Sequence, residues 1–170
     1  EIAPQWLGFE RRMVEHLLAR PEDFVGAFKK LPGNLQLMTV HALQSVVFNK
    51  SLHARIEAGL PISRPVAGDL VGRIDEKGQL EAASCVNVEE RTLPRITRNC
   101  EMGRLVTTGP LPGSEIQTCQ GESGGLEMGV IKSMNLDEAD WNVKAIPRLS
   151  TRGTRRSLVT EFKELAIDTV

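Results

Sequence analysis

The sequence predicts an α+β fold, with N-terminal helices followed by a small, mostly antiparallel sheet and further helices. Through the first 60 residues, apolar side chains recur at every third or fourth position, which is helical spacing. After Pro61 the pattern changes to short apolar runs separated by turn residues, which indicates strands and hairpins. With 170 residues, of which 41% are hydrophobic, the chain is long enough to bury a core.

Three helices are predicted in the first 60 residues. The first covers residues 6–19, and Pro21 suits the first turn of the second. Asn34 is the predicted N-cap of the third helix, which covers residues 35–58 and ends at Gly59. Apolar residues surround the first half of this helix and narrow to a stripe in the second half. We therefore expect its start to be buried and its end to reach the surface.

The second part of the chain predicts the sheet and one further helix. The expected elements are a strand over 66–74, a turn over 75–78, a partner strand over 79–88, a strand over 104–108 closed by a turn at 109–113, and a helix over 127–136. Residues 92–102 do not favour one kind of structure.

Composition excludes several classes of protein. With 21 basic and 22 acidic residues the chain is not a polycation, so any nucleic-acid contact must come from a local patch. No apolar run approaches the roughly 18 residues of a membrane span, and we expect a cytoplasmic protein without membrane contact. Three cysteines are too few for a disulfide framework or a zinc ribbon. The absence of tyrosine argues against an aromatic base-stacking surface.

Metal and cofactor sites are not expected either. The three histidines, His16, His41 and His53, lie within predicted helices and lack ligand partners at helical spacing. Phosphate-loop and dinucleotide-binding fingerprints are absent from the sequence.

One local motif suggests a different chemistry. Residues 119–125 (CQGESGG) resemble the nucleophile loop of chymotrypsin-like serine proteases, with Glu122 where that loop has aspartate. That reaction needs a histidine base with an orienting aspartate, and the helical first third does not fit a double β-barrel. We interpret the motif as a glycine-rich turn leading into the helix at Glu127. A serine hydrolase using Ser123 remains the least favoured alternative.

A basic segment near the end of the chain is the main candidate site. Residues 141–160 contain five basic side chains and no acid, whereas residues 115–140 contain six acids and one lysine. Guanidinium groups around a glycine turn suit phosphate oxygens. The candidate phosphate-binding residues are Lys144, Arg148, Arg152, Arg155 and Arg156, of which the last two are the strongest. One of those two could instead be a structural arginine that ties the turn to an acidic neighbour. A second cluster, Arg91, Arg95, Arg98 and Arg104, could widen the surface.

Six stretches of the sequence resemble the TruD family of tRNA pseudouridine synthases, especially its archaeal members. In order they are residues 10–17 (ERRMVEHL), 31–35 (LPGNL), 41–50 (HALQSVVFNK), 68–69 (GD), 108–113 (TGPLPG) and 150–156 (STRGTRR). The resemblance spans nearly the whole chain, and the stretch at 41–50 is its most specific part. Ala42 and Val46 depart from it, because the family commonly has aromatic residues there.

The resemblance implies isomerisation of uridine to pseudouridine in tRNA, at position 13, by one catalytic aspartate without a cofactor. The family's aspartate motif lies upstream of the matched region, and none of the six aspartates here stands in that context. The expected partners are therefore tRNA and the catalytic domain of the same enzyme, with no catalytic residue in this chain.

The resemblance also implies a division of the chain. Residues 1–60 would be the helical part of the family's insertion domain, residues 61–160 its α+β part, and residues 161–170 the return towards the catalytic domain. The domain would help to hold tRNA by its shape and backbone, and its RNA-binding residues would be Lys144, Arg148, Arg152, Arg155 and Arg156. The alternative is an accessory domain that is purely structural and does not touch RNA.

Overall fold

The structure, a computed structural model, describes residues 7–160. Its helices and strands, in chain order, are α1 (Gly8–Ala19), α2 (Phe24–Phe28), α3 (Gly33–Glu57), β1 (Leu70–Ile74), β2 (Leu80–Asn87), α4 (Leu93–Glu101), β3 (Leu105–Leu111), α5 (Gly121–Ser133) and β4 (Thr154–Ser157). The predicted α+β class is confirmed. The predicted helix start at Trp6 and the segment 161–170 lie outside the described residues.

The ends of the N-terminal helices are set by local hydrogen bonds. Asp23 caps α2, because its carboxylate accepts a hydrogen bond from the Gly26 amide at 2.8 Å. The prediction that Asn34 caps the long helix is wrong: Pro32 occupies the N-cap, and Asn34 lies within the first turn. The end of α3 is as predicted, since Gly59 has a φ of +72°.

The predicted burial of α3 is wrong for much of the helix, although Gln36 near its start is fully buried and Ile56 in its last turn is 53% exposed. Met38, near its start, is 60% exposed, whereas Ser51 and Arg55, near its end, are buried. The reason is that the second half of α3 packs against β3 and α5, which cover it. Within the stretch at 41–50, Gln44 and Phe48 are buried, and Gln44 donates a hydrogen bond to the Pro112 carbonyl at 2.8 Å.

The four strands form one antiparallel sheet in the order β2-β1-β3-β4. The β1–β2 hairpin turns at residues 75–78, as predicted, and Gly78 has a φ of +76°. The pairing shifts between Val71 and Arg73, so β2 bulges at this edge of the sheet. Helix α4 packs on the sheet through Ile96, which forms a buried cluster with Val71 and Val88.

Several predicted boundaries were wrong, and β1 begins at Leu70 instead of residue 66. The predicted turn at 109–113 is in part a strand, because β3 continues through Gly109 and Pro110 and pairs with β4. The last helix begins at Gly121 instead of residue 127. Its first turn fits closely against the chain before it: a Cβ on Gly124 would lie 2.1 Å from the Cys119 carbonyl oxygen. The glycines therefore belong to the start of α5.

Candidate nucleic-acid interface

The basic segment is held in place by buried apolar residues and by backbone pairing. Two short 3-10 turns, Glu138–Trp141 and Pro147–Leu149, bury Trp141 and Leu149. Glu115 donates its amide to the Arg152 carbonyl at 3.0 Å. Gly153 has a φ of +84°, and β4 begins at the next residue. The arginine-rich turn is therefore attached rigidly to the sheet.

Arg155 is 5% exposed, and every nitrogen of its guanidinium group forms hydrogen bonds within the protein. It forms a bidentate pair with Glu127 in α5, with N···O distances of 2.7 and 2.9 Å. Its other hydrogen bonds to oxygen atoms go to the Thr108 hydroxyl and carbonyl and to the Gln117 carbonyl. Burial disfavours the cation, but the hydrogen bonds and charge of Glu127 outweigh it and raise the pKa of Arg155. This arrangement leaves Arg155 no free donor for a ligand.

A thiol lies beside this ion pair. The Cys119 sulfur is 3.2 Å from Glu127 Oε1 and 3.3 Å from a guanidinium nitrogen of Arg155. Burial, together with the neighbouring Glu127 carboxylate, raises the pKa of Cys119 to about 12. Cys119 is therefore a neutral structural thiol at physiological pH.

A second buried ion pair was not predicted from the sequence. Arg55 and Asp69 form two hydrogen bonds of 2.7 Å, and Asp69 is completely buried. Asp69 also accepts a hydrogen bond from the Val66 amide at 2.8 Å. The available signal was the charged Arg55 near the end of an apolar helix, together with the Gly68-Asp69 stretch of the family resemblance.

Ser123 lies in this buried region. It is 3% exposed, within the first turns of α5, and its hydroxyl accepts a 3.3 Å hydrogen bond from Arg55. An arginine cannot serve as the general base that a serine nucleophile needs. The surroundings of Ser123 therefore do not favour the hydrolase alternative.

The other four candidate RNA-binding residues, Lys144, Arg148, Arg152 and Arg156, are exposed. The Arg156 guanidinium lies over the Phe48 ring, 5.1 Å from its centroid, so α3 orients it by a cation–π contact. Arg152 is highly exposed, and its nearest ion-pair partner, Glu115, is 4.0 Å away.

Arg148 is positioned by the start of α3. Its guanidinium donates a 2.5 Å hydrogen bond to the side-chain oxygen of Gln36, which is fully buried and also donates to the Leu31 carbonyl. A Cβ on Gly33, the first residue of α3, would lie 2.9 Å from Arg148 Nη1. Gln36 is thus an orienting residue that sequence reasoning missed, because its partner is 112 residues away.

The second basic cluster is only partly available. Arg91 pairs with Glu89, whereas Arg95, Arg98 and Arg104 are exposed. Within residues 7–160 no group of three or more His, Cys, Asp or Glu side chains is arranged to hold a metal ion. Over the same residues no helix is both long enough and apolar enough to cross a membrane.

Comparison with known proteins identifies the class to which this fold and basic segment belong. The profile of the tRNA pseudouridine synthase D (TruD) family matches residues 1–170. The chain belongs to this family, and the resemblance noted in the sequence is confirmed.

Archaeal relatives cover almost all of the chain. The probable tRNA pseudouridine synthase D of Methanosarcina mazei is 39% identical over 160 residues, which are 94% of this chain and 36% of the relative. The corresponding Halobacterium salinarum protein is 35% identical and is likewise covered to 36%. A crystal structure of the M. mazei TruD protein superposes with a TM-score of 0.86 at 39% identity, over 91% of this chain and 36% of that one. The chain therefore spans 36% of the length of these relatives.

Proposed function

We propose that the whole protein isomerises uridine to pseudouridine in tRNA, at position 13, and that this chain is its RNA-contacting insertion domain. Family membership supports the reaction class, since the relatives are described as tRNA pseudouridine synthase D. The 36% coverage of those relatives leaves room for a catalytic domain in the remainder of their length.

The burial of Asp69 in an ion pair supports the proposal that the catalytic aspartate is absent from this chain. It is the one aspartate within a stretch that resembles the family, and both its oxygens are bound by Arg55. A base flipped out of the RNA stack must reach its catalytic group in an open pocket. A fully buried carboxylate already in a bidentate pair does not offer that access.

The observation that carries the RNA proposal is the orientation of the exposed cations by the fold. Gln36 holds Arg148 beside the first turn of α3, where backbone N–H groups add partial positive charge. Phe48 holds Arg156. Fixed, charged donors on a rigid support suit the phosphates of an RNA backbone, and backbone contacts set position without reading sequence. Lys144 and Arg152 extend this charge along the same segment.

The purely structural alternative has one observation in its favour, which is the burial of Arg155. The most basic turn of the chain supplies one of its three arginines to the interior. If the other cations also served only solubility or packing on the catalytic domain, removing them would leave RNA affinity unchanged.

The test is titration of tRNA with the purified 170-residue chain at two salt concentrations. The variant Arg152→Gln/Arg156→Gln removes two exposed cations, and Arg12→Gln/Arg20→Gln removes the same charge from exposed positions near α1. We expect wild type to bind more weakly as salt rises. The salt slope should fall by about one for each phosphate-binding arginine that the first variant removes, and it should stay unchanged in the control. Absence of binding by the folded chain at low salt would refute the RNA role.

A further inference from the structure

A second basic surface lies in an open groove between α4 and the β1–β2 hairpin, here called the α4 groove. No residue of the basic segment 141–160 lines it. Its polar lining includes Arg73, Arg95, Asn99 and Arg104, and Val86 and Leu105 contribute apolar surface. Val86 is 52% exposed, so the groove presents apolar surface between cationic side chains.

The three arginines of the α4 groove form no close ion pair among residues 7–160, although Arg73 lies opposite Glu81 in the β1–β2 register. Among residues 7–160, Arg73, Arg95 and Arg104 form no ion pair within 4.0 Å, in contrast to Arg64 and Arg91, which pair with Glu101 and Glu89. All three are exposed. Their donors are therefore available to an anion from outside the described residues.

Acidic residues in the groove are confined to the hairpin side. Asp75 and Glu76 belong to the turn, and the Asp75 carboxylate accepts hydrogen bonds from the Lys77 and Gln79 amides. Glu81 stands directly opposite Arg73 in the β1–β2 register and offsets its charge. The α4 side, which carries Arg95 and Arg104, is therefore the positive side of the groove.

The backbone at the positive side of the groove is held in place by helix α4 and by the pairing of β1 with β3. Arg95 and Asn99 are one turn apart on α4, and the side-chain Nδ2 of Asn99 donates a hydrogen bond to the Arg95 carbonyl at 2.8 Å. Arg104 leads into β3, and its carbonyl accepts a hydrogen bond from the Ile74 amide at the end of β1. Little ordering of the backbone would be needed for both guanidinium groups to meet a ligand.

We propose that the α4 groove binds a segment of the tRNA sugar–phosphate backbone, with Arg95 and Arg104 contacting phosphates. Val86 and Leu105 lie against the ribose or base face, and Arg73, offset by Glu81, orders the hairpin side. Guanidinium groups beside apolar surface match a ligand that alternates charge with flat, weakly polar groups. This proposal rests on the proposed RNA contact of the chain and adds a second contact surface to it.

The experiment uses the same tRNA titration with the variant Arg95→Gln/Arg104→Gln. We expect the salt slope to fall by about two, with no change in the Arg12→Gln/Arg20→Gln control and no change in the thermal unfolding midpoint. A slope and affinity equal to those of the control would overturn the groove proposal. If the groove variant behaves like the control but Arg152→Gln/Arg156→Gln still weakens tRNA binding, the proposed function stands and only the groove proposal is refuted. If the wild-type chain does not bind tRNA at low salt, the proposed RNA contact of the chain and the groove proposal are both refuted.

A measurement on the unmodified chain avoids any effect of the substitutions on folding. Phenylglyoxal modifies accessible arginines, and mass spectrometry reports the extent at each position. We expect tRNA to protect Arg95 and Arg104 but not Arg12. Equal modification with and without tRNA would contradict the proposal. Protection by polyglutamate but not by tRNA would also overturn it and would assign the groove to an acidic polypeptide.

Discussion

Arg155 and Arg156 are neighbours in the sequence, yet one is buried against Glu127 and the other is exposed over Phe48. The cause is the alternation of side chains along β4, which sends adjacent residues to opposite faces of the sheet. Taking a cation out of water is costly unless a carboxylate and further hydrogen bonds replace the solvent. Arg155 meets that condition, so its role lies in the interior of the domain.

The first prediction concerns this buried pair. Glu127→Gln removes the charge that balances Arg155, and it should lower the free energy of unfolding by about 3–5 kcal/mol. Glu115→Gln makes the same change in the exposed pair with Arg152, whose side chains are 67% and 83% exposed. That control should shift stability by less than about 0.5 kcal/mol. Urea unfolding of both variants measures the difference, and equal midpoints would contradict the assignment.

The Cys119 thiol gives a prediction about pH. Only the thiolate reacts with iodoacetamide, and a pKa of about 12 keeps Cys119 protonated well above neutral pH. In the native protein at pH 8, Cys119 should be alkylated more slowly than the half-buried Cys85 and Cys100. Its rate should continue to rise beyond pH 10 as the thiolate forms.

Peptide mapping by mass spectrometry separates the three sites, and denaturing urea should make their rates similar. Native labelling of Cys119 as fast as the other two would show that the thiol is not shielded by its ion-paired surroundings.

At the scale of elements, the start of α5 shows how neighbours decide a boundary. The glycines of the stretch at 119–125 predict a turn by local preference. The helix nevertheless begins at Gly121, because Gly124 lets its first turn approach the Cys119 backbone. Packing requires a glycine at Gly124, whereas it does not require one at Gly125.

Two substitutions separate these cases. At Gly124 a Cβ would meet the Cys119 carbonyl oxygen at 2.1 Å, so Gly124→Ala should destabilise the protein. At Gly125 nothing lies within 4 Å, and Gly125→Ala should stabilise it by about 0.5–1 kcal/mol through helix propensity. Thermal unfolding should move in opposite directions for the two variants. A loss of stability in both would mean that α5 does not begin as described.

At the scale of the whole molecule, the chain covers 36% of the length of its relatives. Asp69, the aspartate in a stretch that resembles the family, is fully buried with Arg55. Under the proposed function, the reaction needs a catalytic domain beside this one.

The purified 170-residue chain should accordingly form no pseudouridine in tRNA, even under conditions in which it binds. Mass spectrometry cannot detect the isomerisation by mass alone, so carbodiimide labelling of pseudouridine followed by primer extension is the appropriate readout. The full-length M. mazei relative serves as the positive control. Pseudouridine formed by the chain alone would place a catalytic group among these residues and refute the proposal.

The sequence by itself determined the α+β class, the N-terminal helices, the hairpin turn at 75–78 and the family. These features depend on local periodicity, on turn residues and on motifs that can be read over a few positions. The same local patterns placed the basic segment, and they left open whether one of its arginines was structural.

Only the tertiary structure decided which arginine faces inward, and that Arg55 and Arg155 each meet a carboxylate, at separations of 14 and 28 residues. It also placed the buried Gln36 against Arg148 and left Met38, in the first half of α3, exposed to solvent. Such contacts depend on strand register and on which elements pack together. Helical or strand periodicity shows that a residue has an inner face, but the partner on that face comes from a distant part of the chain.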